Sequence, residues 1–216
     1  MPPFADRTSA GQQLAEELSA YAEQEDVVVL GLPRGGVPVA FEIAKALKAP
    51  LDVFVVRKLG VPGNPELAMG AIASGGVRVL NKDVVGRLSI SEEDIERVAK
   101  REREELERRE EAYRGARPEV DLENKTVIIV DDGLATGATM RAAVNALRKR
   151  DPERIVVAVP TAPPDTCAEF ENVADEIICL TTPRPFFGVG GSYRDFSQTS
   201  NEQVRALLNK ADAFSL

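Results

Sequence analysis

Residues 127–139 read Val127-Ile128-Ile129-Val130-Asp131-Asp132-Gly133-Leu134-Ala135-Thr136-Gly137-Ala138-Thr139. Four consecutive β-branched residues predict a strand buried on both faces, as in a parallel sheet. Two carboxylates stand at its carboxyl end, which is where open α/β sheets bind ligands. A loop of small residues then enters a helix, so free main-chain N–H groups and the positive end of the helix combine into an anion cradle. Gly137 allows close backbone approach, and Thr136 and Thr139 add hydroxyl donors. An acid pair is wasteful for phosphate alone. It makes sense for a ligand that also carries a vicinal diol, because ionised carboxylates only accept hydrogen bonds and ribose hydroxyls donate them. The same negative charge favours positive charge developing at an anomeric carbon.

Other chemistries fit this run less well. An apolar strand ending in Asp-Asp also resembles the Mg²⁺ strand of P-loop NTPases, but the chain has no Gly-x-x-x-x-Gly-Lys-Ser/Thr loop. Aspartyl phosphatases use a spaced Asp-x-Asp, and none stands at a strand end. Two aspartates capping a helix would explain Asp-Asp by itself, but not all thirteen residues.

Outward from this run the chain alternates strand and helix patterns. Strands are predicted at 27–30, 51–57, 125–131, 154–160 and 176–180, with short ones at 69–73 and 77–80. Helices are predicted at 9–22, along Val39, Ile43 and Leu47, and at 138–148, 164–170 and 201–209. Residues 58–66, rich in Gly and Pro, read as a mobile loop. The segment 91–113 is a charged helix with a thin apolar stripe (Ile95, Val98, Ala99, Leu106, Tyr113). It carries a capping box at Ser91/Asp94 or Ser89/Glu92. Oriented pairs are expected at Glu93–Arg97, Glu96–Lys100, Glu104–Arg108 and Glu105–Arg109. This is a solvated helix packed on one narrow side, or else a dimer contact or lid support. The architecture expected is a single α/β domain over 1–216: a central parallel sheet flanked by helices, a helical insert at 81–118 and a tail at 182–200.

Composition narrows the chemistry. The chain has 216 residues, a net charge of −8 and no histidine. The acidic balance disfavours nucleic acid as a partner, and the missing histidine excludes Ser-His-Asp and Cys-His catalysis. No apolar run is long enough for a membrane span, and no basic segment precedes an apolar run as in a signal peptide. The two cysteines, Cys167 and Cys179, are read as reduced thiols of a cytoplasmic protein.

With these residues in view, 127–139 resembles the phosphoribosyl-pyrophosphate (PRPP) signature of type I phosphoribosyltransferases. The wider chain resembles uncharacterised bacterial proteins with that domain, through LGLPRGGVPVA, RKLGVPGNPELAMGAI and FGVGGSYRDFSQ. The resemblance implies transfer of a phosphoribosyl group from PRPP to a nitrogen nucleophile with release of pyrophosphate. The alternative on the same fold is a non-catalytic sensor of the ligand. Asp131 and Asp132 would hold the ribose, and Ala135, Thr136, Gly137, Ala138 and Thr139 the 5′-phosphate. Pro33-Arg34-Gly35-Gly36, often carrying a cis peptide in the family, would take the pyrophosphate together with Arg57 and Lys58. By themselves, Arg-Gly-Gly reads as a turn and Arg57-Lys58 as a basic strand end. Ala135 stands where 6-oxopurine enzymes place an aspartate base, so Glu66 becomes the candidate base. Phe187 or Tyr193, in a hood formed by the tail and the insert, would stack on a flat acceptor, or else seal the core edge. Mg²⁺ would ride mainly on PRPP, with no protein metal site, and a homodimer is the default assembly.

Overall fold

The computed structural model describes residues 3–213. Its central sheet holds β1 (Val27–Gly31), β2 (Leu51–Val53), β6 (Thr126–Val130), β7 (Arg154–Thr161) and β8 (Glu176–Thr181) in the order β2-β1-β6-β7-β8. Every neighbouring pair is parallel. The expected α/β class is therefore met. The chain leaves β1 toward one edge and β6 toward the other, so the order reverses between these two strands. Crevices open at the carboxyl ends of strands at such a switch point.

The pleat divides the core in two, because alternate residues of a strand face opposite sides. Ile128 and Val130 pack with Val39 and Ile43 of α2 (Gly36–Leu47) and with Leu14 of α1 (Arg7–Glu17). Val127 and Ile129 pack on the other side with Met140, Val144 and Leu147 of α5 (Ala138–Leu147) and with Phe170 of α6 (Pro164–Phe170). The continuous apolar run at 127–130 is what a sheet covered on both faces requires.

Residues 58–66 correct the sequence reading. They are no loop: β3 (Val56–Val61) and β4 (Asn64–Ala73) form an antiparallel hairpin, and β5 (Val77–Leu80) completes a second, three-stranded sheet. The predicted strand 51–57 is accordingly split between the two sheets. The turn Pro62-Gly63 has φ +80° at Gly63, the conformation a proline–glycine turn requires. Leu59 anchors the hairpin, being fully buried.

The helical insert resolves into α3 (Lys82–Arg87) and α4 (Glu92–Arg114). The Ser91 hydroxyl accepts from the Asp94 N–H at 3.1 Å, starting α4 as expected. The predicted stripe, from Ile95 to Tyr113, is buried. It packs on β3, β4 and the last helix α7 (Asn201–Ala211), so α4 backs the second sheet and is no part of a hood. Of the four predicted ion pairs only Glu105–Arg109 forms. Glu105 also takes Arg108, and Glu96 pairs across to Arg78. Arg97 pairs with Asp94 at i,i+3 instead, so closer partners on the same helix and one across elements displaced the i,i+4 ones.

The reading of the cysteines is also corrected. Cys167 and Cys179 form a disulfide, with Cα atoms 6.7 Å apart, that ties α6 to β8. The compartment inferred from reduced thiols loses that support. No helix among the described residues is long and apolar enough to cross a membrane.

Candidate functional site

At the switch point two helices begin without side-chain caps. α2 follows Pro33-Arg34-Gly35-Gly36 after β1, and α5 follows the loop after β6. Uncapped starts leave main-chain donors unsatisfied. Among the described residues, the N–H groups of Ala135, Thr136, Gly137 and Thr139 meet no protein acceptor, and neither do those of Arg34 and Gly35. The Ala138 N–H makes one long contact of 3.4 Å to the Thr136 hydroxyl. Asp131 and residues 133–140 line a cavity of about 130 Å³, which gives these amides an open space to face. Gly137, at φ +69°, makes the turn into α5, and a Cβ there would fall 2.6 Å from the Phe170 ring. The Thr166 hydroxyl of α6 donates to the Ala135 carbonyl at 3.0 Å and braces the loop from below.

The loop 33–36 lies directly against the acid pair. A Cβ at Gly35 would fall 2.0 Å from the Asp132 Oδ2, and one at Gly36 would fall 2.6 Å from the Val130 carbonyl oxygen. Only glycines permit this approach. The Pro33–Arg34 peptide is cis, as the resemblance implied. Arg34 is exposed, with no ion pair among the described residues.

Asp131 and Asp132 are both partly withdrawn from water. The Asp131 carboxylate accepts from the Asp132 N–H at 2.8 Å. Burial pushes the Asp131 carboxyl well above the usual carboxylate range, and the adjacent charge of Asp132 adds to it. Burial also raises Asp132, but the Arg7 guanidinium opposes that rise. Arg7 Nε and Nη2 both fall on Asp132 Oδ2, at 2.9 and 2.8 Å. Sequence reading missed Arg7, having begun the first helix at residue 9. The capping box of Asp6 and Ser9 was a signal that starts α1 at Arg7.

The remaining sequence-predicted residues are dispersed. Arg57 is turned toward α4, where Nη2 and Nε donate to the nearly buried Glu102 at 2.6 and 3.0 Å. Lys58, on the opposite face of β3, donates to the Glu66 carbonyl and stands 3.6 Å from its carboxylate. Glu66 projects from the hairpin almost wholly into solvent and makes no contact with the acid pair. Tyr193 is no stacking platform in this structure. It is buried, its ring packs on Phe4 and Phe196, and its hydroxyl donates to the Asp132 carbonyl at 2.5 Å. Burial drives its phenol far above the ordinary tyrosine range. Phe187 is the most exposed aromatic of the tail, at 85 %. It lines a cavity of about 410 Å³ with Phe4, Phe186, Thr181 and Ser192 at the end of β8.

A parallel sheet with two donor-rich helix starts and an acid pair at its switch point defines an α/β protein whose open crevice lies at the carboxyl edge of the sheet. The comparisons narrow this: residues 6–194 match the phosphoribosyl transferase domain model, and the chain belongs to that family. It is 52% identical over 211 residues, 98% of its length, to two Mycobacterium tuberculosis proteins named "Putative phosphoribosyl transferase". The chain spans about half the length of these curated relatives, 47%. The crystal structure of TT1426 from Thermus thermophilus superposes with a TM-score of 0.86 at 44% identity, covering 97% of this chain and 99% of that one.

Proposed function

We propose that this chain binds PRPP in the crevice between β1 and β6 and transfers its phosphoribosyl group to a nitrogen nucleophile, releasing pyrophosphate. One observation carries the reading: the unpartnered amides of Ala135, Thr136, Gly137 and Thr139 line a cavity that Asp131, at the carboxyl end of β6, also lines. The phosphate would take those amides with the Thr136 and Thr139 hydroxyls, while Asp131 and Asp132 accept from the ribose hydroxyls. The amides of Arg34 and Gly35, with the exposed Arg34 guanidinium, would take the pyrophosphate. In this reading Arg57 and Lys58 reach the leaving group only by giving up Glu102 and Glu66. Glu66 serves as a base only if the β3–β4 hairpin closes over the crevice.

Mg²⁺ fits as a passenger of the ligand. Among the described residues no cluster of three His, Cys, Asp or Glu could cage a cation, and Mg²⁺ is commonly carried on substrate phosphates. When bound it would neutralise charge on the departing pyrophosphate. The acceptor would lie over the cavity at the end of β8, against Phe187.

The test is pyrophosphate release from PRPP with Mg²⁺ across a panel of nucleobases and amines. Base-dependent release, abolished in the Asp131→Asn/Asp132→Asn double variant while the fold survives, supports the transferase. PRPP binding without turnover across the whole panel would replace it with a ligand sensor.

A further inference from the structure

Asp132 is held from two sides by parts of the chain outside the signature. From α1, Arg7 places two nitrogens on Oδ2, at 2.9 and 2.8 Å. The other oxygen, Oδ1, receives neither. From the tail, the Tyr193 hydroxyl donates to the Asp132 main-chain carbonyl. Arg7 is itself immobilised by the same tail. Its Nη1 donates to the Ser197 carbonyl at 2.7 Å, and its guanidinium lies 4.0 Å from the centre of the Phe196 ring. The Arg7 side chain is only 11% exposed. A guanidinium so enclosed has little freedom to leave, and a fork held by several partners fixes direction as well as charge.

Nothing in ribose or phosphate binding requires an arginine on the back of Asp132. The pair needs a counter-ion for a different reason. Two carboxylates this close cannot both ionise cheaply out of water, yet both must be acceptors to take a diol. The ligand brings further negative charge from its phosphates. We propose that Arg7 is a positioning residue of the ribose site: braced by Phe196 and Ser197, it fixes the Asp132 carboxylate in its ionised form and turns Oδ1 toward the sugar. The inference rests on the reading that PRPP occupies this crevice.

The charged and titratable groups that face Asp132 are Arg7 from α1, Asp131 beside it and the Tyr193 phenol from the tail. The loop from β1 presents uncharged Gly35. Arg7 is thus the cation in contact with the pair. Its removal lets Asp132 hold a proton to higher pH, so the acid limb of ligand binding moves up. The phosphates of PRPP also titrate near pH 6, but equally for every variant, so the difference between variants isolates the protein.

The experiment measures PRPP binding with Mg²⁺ by calorimetry from pH 5 to 8.5, for the native chain, Arg7→Gln and Arg7→Lys, each checked for folding by thermal melting. Arg7→Gln is expected to weaken binding about 10-fold at pH 7 and to raise the acid midpoint by about one unit, the low end of what one opposite charge contributes. Arg7→Lys should recover most of the midpoint but not all of the affinity, since it keeps the charge and loses the fork. If Arg7→Gln does not fold, the Lys variant decides: a native midpoint with reduced affinity supports the proposal, and native affinity overturns it. An Arg7→Gln protein with an unmoved midpoint also overturns it. Absence of PRPP binding by the native chain removes the parent reading and this inference with it, whereas native binding indifferent to Arg7 removes the inference alone.

Discussion

Replacing Gly137 with alanine probes the turn into α5 in two separable ways. The residue sits at φ +69°, a left-handed conformation that costs a residue with a Cβ about 1–2 kcal/mol. The added methyl would also lie 2.6 Å from Phe170 Cε2 and 3.2 Å from Thr166 Cγ2. Phe170 is fully buried and its ring sits beneath the Arg141 guanidinium, so it cannot step aside into solvent. Overpacking of this kind costs about 1–3 kcal/mol. The two effects together predict a loss of about 2–5 kcal/mol in urea unfolding. The loop should shift as well, and with it the affinity for ribose 5-phosphate. Asparagine tolerates the left-handed region better, so Gly137→Asn should recover part of the backbone cost while keeping the clash. Combining Gly137→Ala with Phe170→Leu should recover about 1–3 kcal/mol as a coupling energy. Gly137→Ala within about 0.5 kcal/mol of the native chain, with unchanged ribose 5-phosphate affinity, would refute the assignment of this turn.

Two further outcomes follow from the site and its supports. Asp131 is held above the ordinary carboxylate range by burial and by Asp132, so its ionised form opposes folding. The destabilisation is present above the folded-state pKa and fades as pH falls toward the unfolded value. Asp131→Asn should therefore raise the melting temperature at pH 7 while eliminating PRPP binding, with the gain gone near pH 4. A melting temperature that falls at pH 7 contradicts the sign. The bond between Cys167 and Cys179 closes a sequence separation of 12 residues, for which chain entropy gives about 3 kcal/mol. The double serine variant should lose roughly that much in chemical denaturation, and equal stability of oxidised and reduced protein would count against the bond.

The sequence by itself determined the central strand, the acid pair, the small-residue loop after them and the start of α5. All of that information lies within thirteen adjacent residues, where apolar periodicity, small residues and a helix start act over a few ångströms of chain. It also determined the strand–helix alternation and the buried stripe of α4, since both follow from local periodicity. The cis peptide at Pro33–Arg34 came through family resemblance rather than from those local rules. Tertiary structure decided what surrounds the pair. Arg7 reaches Asp132 across 125 positions, and Tyr193 reaches it across 61. Neither contact has a sequence period, and an arginine in a first turn looks like any solvated charge. Arg57 could have pointed to the crevice or to α4, and the parity of β3 together with the buried Glu102 settled it. The hairpin at 56–73 was hidden because its turn residues, Pro62 and Gly63, also mark ordinary loops, and only pairing with β5 and packing on α4 make strands of its flanks. The two cysteines meet because α6 folds back onto β8. Local chemistry thus specified the strand end and loop of the candidate site, and long-range packing specified the charges that hold it in place.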